Sequence, residues 1–128
     1  MKDFIRTRLA AFRHAFDGWL YLLRTQRNAW IHAVITLIVV ILGFWLKIDR
    51  GDWVVIVIAI ALVWLAEFLN TALEAVVDLA SPGQNRLAQV GKDVGAAAVL
   101  IAAGTAVIVG LLVLGPPLVT RLREILKI

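Results

Sequence analysis

Cysteine is absent from all 128 residues, so neither disulfides nor thiolate chemistry can hold or drive this protein. Charge is scarce as well. Only 17% of the residues are charged and 62% are hydrophobic, where an average soluble chain has about 25% and about 45–50%. A soluble domain of this length has too little interior to hide so much apolar surface. Lipid as the solvent removes that difficulty, and the length fits one domain. Also missing are an internal repeat, a low-complexity linker and a Walker-type glycine-rich loop. The net charge of +4 does not point to nucleic acid, because it is unevenly placed. Lys2, Arg6, Arg8, Arg13, Arg24 and Arg27 face only Asp3 and Asp17 in the first 27 residues. A basic segment beside apolar spans suits anionic lipid head groups.

Residues 4–24 have the pattern of an amphipathic helix lying on a membrane. Ile5, Leu9, Phe12, Phe16, Trp19 and Leu23 recur at three- and four-residue steps, with Arg6, Arg13, Asp17 and Arg24 on the other side. Arg8 and Arg13 interrupt any apolar core that a signal peptide would need. Three spans follow, at about 30–46, 53–77 and 94–115, separated by a charged turn at 47–52 and a polar connection over 78–93. Pro116-Pro117 is expected to end the third helix near Gly115, leaving 121–128 as an interfacial tail. Trp30, Trp45 and Trp53 stand at span ends, where interfacial anchors belong. The expected fold is therefore an all-α, multi-pass membrane protein, one membrane domain over 1–128. The basic amino terminus is expected in the cytoplasm by the positive-inside rule. The tail, with Arg121, Arg123 and Lys127 against Glu124, runs against that rule.

The chemistry lies in the second span. Glu67, Asn70, Glu74 and Asp78 fall within about 80° of arc at roughly 100° per residue, so they form one helical stripe. A carboxylate at the centre of a span costs about 2.5–3.5 kcal/mol, and intramembrane ionisable residues are functional candidates by default. A purely structural role, hydrogen bonding between helices, is the plainer alternative. Lys92 and Asp93 lie on the same side of the membrane as Glu74, as do Gln26, Arg27 and Asn28. Gly91 and Gly95 would let helices approach closely there. Carboxylates with a nearby lysine suit a metal-bound phosphate.

The segment from Glu67 to Asp78, with Asn70-Thr71-Ala72 and Glu74 inside it, resembles the signature of the bacterial diacylglycerol kinase and undecaprenol kinase family. Gly91-Lys92-Asp93-Val94-Gly95 resembles its second signature, at the expected spacing. Arg27-Asn28 with Ile31-His32 resembles a third element, more typical of the undecaprenol kinase branch, and the Asn-Thr-Ala form leans the same way. The resemblance covers almost the whole chain. It implies a homotrimer in the bacterial inner membrane that transfers the γ-phosphoryl of MgATP to a lipid alcohol, with undecaprenol expected first and diacylglycerol as the alternative. By match to the motifs, Glu67 would be the general base and Asn70 would orient the catalytic groups. Glu74 would hold Mg²⁺, and Lys92 and Asp93 would meet the nucleotide. Gln84, Asn85 and His14 are further nucleotide candidates; Asn28 and His32, with Glu67, are the candidates for the lipid.

Two departures stand out. The family pattern carries a glutamate just before the Arg-Asn pair as a second Mg²⁺ ligand, and here that position is Gln26. The connection Gly83-Gln84-Asn85-Arg86 lacks the histidine of many relatives. His14 and His32 also have bland readings, as a solvated residue and a structural hydrogen bonder. Outside the kinase class, the intramembrane carboxylates would suit an ion- or proton-conducting oligomer. That reading needs polar groups in both halves of the membrane, and 53–66 has no acidic, basic or amide side chain. A non-catalytic subunit is the remaining rival, with Gln26 as its only hint.

Overall fold

The computed structural model describes residues 2–127, and the described residues form helices joined by short connections. α1 is Lys2–Thr25, α2 Arg27–Leu46, α3 Arg50–Ala80 and α4 Arg86–Leu126. The last three are long and apolar enough to cross a membrane.

Local chemistry sets the ends. Asp49 caps α3 by accepting from the Asp52 amide at 2.9 Å, and Asn85 caps α4 by accepting from Leu87 and Ala88 at 2.8 and 3.3 Å. α2 ends on Lys47 in the left-handed conformation (φ 53°). There the Lys47 and Ile48 amides donate back to Phe44 and Gly43, each at 3.2 Å. Gly43 is needed at this corner, since a Cβ would come within 2.8 Å of the Trp53 ring.

Two boundaries differ from the sequence reading. The connection expected over 78–93 shrinks to 81–85, because Asp78 stays on α3, and Lys92 and Asp93 stand well inside α4. Pro116 and Pro117 do not end α4, which runs on to Leu126. Each proline removes one donor, whereas ending the helix beside the membrane core would orphan four carbonyls. The Thr120 hydroxyl donates to the Pro116 carbonyl at 3.1 Å just beyond.

The packing is inverted relative to a soluble bundle. Leu37, Leu62, Leu100 and Leu112 point outward, each at least half exposed. The inner face of α3 carries Ile56, Ala59, Val63, Glu67 and Thr71, buried at three- and four-residue steps. α3 packs chiefly on α4. There the missing side chain of Gly95 makes room for Asn70, whose Oδ1 would collide with a Cβ at that position. α1 joins α2 at an elbow built on buried Leu22 and Ala29, where the Trp30 indole donates to the Leu23 carbonyl at 2.8 Å. Trp19 ties α1 to α3 as well, its ring 4.7 Å from both Trp64 and Phe68.

Candidate active site

The carboxylates of α3 step from the interior towards water. Glu67 is 1% exposed, Glu74 is half-buried, and the Asp78 side chain is 64% exposed. The rise is about 16 Å along the helix at about 1.5 Å per residue. Each level meets a group from another element.

At the buried level, His32 of α2 brings Nε2 to 3.8 Å from Glu67 Oε2. Among the described residues neither atom has a hydrogen-bond partner, and neither do the nearby Thr71 hydroxyl and Asn70 Oδ1. Buried polar atoms are usually paired, so these four, three on adjoining turns of α3 and one opposite on α2, leave hydrogen-bonding capacity free inside the bundle. Aromatic rings flank the level: Trp64 lies one turn before Glu67, with its ring edge-on to His32 at 6.4 Å and its indole donating to Thr36 at 3.2 Å.

At the middle level, Glu74 accepts from two amides, Asn70 Nδ2 at 3.1 Å and Gln26 Nε2 at 3.2 Å. Gln26 occupies the N-cap position of α2 without a capping side-chain bond, so this contact brings the α1–α2 elbow onto α3. Among the described residues no three His, Asp or Glu side chains gather as a cation cage. Mg²⁺ does not need one, since it is commonly held by one or two carboxylates with substrate phosphates and water. Glu74 with the reversible amide of Gln26 fits that limited role. At the outer level, Lys92 of α4 pairs with Asp78 at 2.5 Å, while Asp93 accepts from Gln89 at 2.8 Å and faces solvent.

Glu67, Asn70, Glu74, Gln26, His32 and Lys92 are thus drawn to one end of the α2–α3–α4 bundle. The other candidates are not drawn in. His14 is exposed on α1, Asn28 is exposed on α2, Gln84 is exposed in the connection, and Asn85 is engaged as the α4 cap. The sequence does not single out Trp64 and Phe68, although Trp64 stands one turn before Glu67 and Phe68 directly after it. An apolar groove of about 530 Å³ runs along α3 and α4, with Gly95, Ala98 and Ala102 among its walls and Asn70 near one end.

The family described as prokaryotic diacylglycerol kinase matches residues 13–114, which include every contact of this cluster. The chain belongs to that family. A diacylglycerol kinase of Synechocystis is 43% identical over 114 residues, 88% of this chain and 65% of that protein. The undecaprenol kinase of Bacillus subtilis is 37% identical over 108 residues, 84% of this chain and 88% of that one. A diacylglycerol kinase of Escherichia coli is 39% identical over 89 residues, 64% of this chain and 73% of that one. The chain spans just under two thirds of the Synechocystis protein and more of the other two. This family member is a membrane lipid kinase of the diacylglycerol or undecaprenol kinase type, working by ATP-dependent phosphoryl transfer.

Proposed function

We propose that this family member phosphorylates undecaprenol at the cytoplasmic face of the membrane, with Glu67 as general base. The observation that carries the base is the buried carboxylate with its free Oε2, at the inner end of a polar stripe that opens to water at Asp78. In the reaction, the acceptor hydroxyl gives its proton to Glu67 as its oxygen bonds to the γ-phosphorus. The bond from that phosphorus to the β–γ bridging oxygen breaks, and ADP leaves. Lys92 offers charge to the phosphates from the rim, and Asn70 holds Glu74 in place. Mg²⁺, bound by Glu74 beside Gln26, would neutralise phosphate charge. Most of the acceleration would come from positioning and electrostatics.

The choice of acceptor rests on Asn28 and His32 in the amino-terminal element, the Asn70-Thr71-Ala72 form, and the likeness to the Bacillus protein over most of its length. The apolar groove beside Asn70 offers a polyprenyl tail a place alongside the reacting end. Homotrimeric assembly and a cytoplasmic amino terminus belong to the same proposal, the latter supported by the arginines of α1. Purified protein with MgATP and equal amounts of undecaprenol and diacylglycerol tests the acceptor. A higher kcat/KM for undecaprenol is expected; a higher value for diacylglycerol reassigns the substrate. Mass measurement in a native nanodisc tests the trimer.

A further inference from the structure

At the membrane face away from the Glu67–Glu74 cluster, α2 ends, α3 begins and α4 runs past its last uncharged turn. A cavity of about 250 Å³ lies there, between Trp45 and Lys47 at the end of α2 and Pro117, Thr120, Arg121 and Glu124 of α4. No candidate active-site residue borders it. The family match stops at residue 114, before the α4 wall of this cavity begins.

One feature marks the cavity as used, its charge. Lys47, Arg50, Arg121, Arg123 and Lys127 stand at this end against Asp49, Asp52 and Glu124. Asp49 is engaged in capping α3, and Glu124 pairs with Arg121 at 3.0 Å. Lys47 has no ion-pair partner among the described residues. The arginines of α1 already bias orientation at the other face, so a second basic face is not needed for that. Lys47 occupies a left-handed cap position at the end of α2, as Lys127 does at the end of α4.

We infer that this cavity binds the phosphate of a membrane phospholipid head group. Lys47 supplies the free charge, Arg121 offers the guanidinium N–H groups not engaged by Glu124, and Trp45 and Pro117 form the apolar wall. The site lies where the apolar spans end, the depth at which lipid phosphates sit, and basic pockets between spans recognise such groups. A soluble anion would need no apolar wall.

The test uses the full chain in mild detergent, titrated with phosphatidylglycerol while thermal unfolding is followed. A saturable rise in the unfolding midpoint is expected for the wild type. Lys47→Asn, which tolerates the left-handed backbone, should raise the half-saturating lipid concentration roughly fivefold, and Lys47→Asn with Arg121→Gln roughly thirtyfold, at about one charge's worth of attraction each. Kinase turnover in both variants should match the wild type, which certifies the fold. If freeing Glu124 prevents the double variant from folding, the single variant decides. Identical titrations for Lys47→Asn and wild type would overturn the inference. So would inorganic phosphate producing the same rise at the same concentrations, since that would make this a soluble-anion site.

Discussion

His32 Nε2 and Glu67 Oε2 face each other across 3.8 Å, each without a hydrogen-bond partner among the described residues. The gap exceeds the 2.7–3.2 Å of a direct bond, yet a single oxygen atom fits within reach of both. Leaving buried polar atoms unpaired costs about 1–3 kcal/mol each, and more for charged groups. Stability therefore gives no reason for this arrangement, whereas an incoming hydroxyl that donates to Glu67 and accepts from His32 would complete it.

Replacing Glu67 separates these two accounts. Glu67→Gln should lower turnover by about 10²–10⁴-fold, the usual worth of a general base, while nucleotide binding persists. Glu67→Leu should be equally inactive but unfold at a higher temperature in detergent, since a buried unpaired carboxylate is exchanged for an apolar side chain. Turnover and thermal unfolding of the two variants check this. A well-folded Glu67→Gln protein with near-normal turnover removes the residue from the mechanism.

Lys92 forms an exposed pair with Asp78, and such pairs contribute only about 0.2–1 kcal/mol to stability. Lys92→Ala should thus unfold almost as the wild type does. Its KM for ATP should rise and its turnover fall, with the lipid KM nearly constant. Steady-state kinetics with each substrate varied in turn provide the check, and a change confined to the lipid KM would place the lysine against head groups instead.

Gln26 donates its amide to Glu74 at 3.2 Å, a contact that needs no cation. Gln26→Glu would set two carboxylates face to face. In chelator the variant should unfold at a lower temperature than the wild type, and added Mg²⁺ should reverse the loss. Its Mg²⁺ requirement for half-maximal turnover should also fall. Unfolding with and without Mg²⁺ reads the first effect independently of activity. No Mg²⁺ response in the variant would leave Gln26 as a structural hydrogen-bond donor to Glu74 alone.

Gly95 has no room for a side chain: its Cβ would meet Asn70 Oδ1, and Leu73 Cδ2 at 3.2 Å. Gly95→Ala must displace Asn70 or part α3 from α4. Overpacking of this kind costs about 1–3 kcal/mol. Because Asn70 also holds Glu74, turnover should fall beyond what the lost stability explains. Activity measured well below the variant's unfolding midpoint, beside Gly104→Ala where a Cβ meets nothing, gives the comparison.

Several of these contacts were partly legible beforehand. The period of Glu67, Asn70, Glu74 and Asp78 placed them on one face, because helical geometry is local and repeats wherever lipid forbids unpaired backbone. Gly95 was identifiable as a point of close approach. Its partner was not, since nothing local to residue 95 encodes which turn of α3 lies opposite. The stop expected at Pro116-Pro117 is absent for a related reason. Proline's local cost is legible in the chain, but the larger cost of ending a helix beside lipid depends on where the membrane boundary lies.

The sequence by itself determined that this protein lives in a membrane, crosses it with apolar helices and carries carboxylates where lipid disfavours them. Those properties follow from composition and from a helical repeat that needs no distant partner. Only the tertiary structure decided that Gln26 meets Glu74, that His32 stops just short of Glu67, and that Lys92 reaches Asp78. The register of one helix against another is set by side-chain fit, here Asn70 seated against Gly95, and that fit joins residues far apart in the chain.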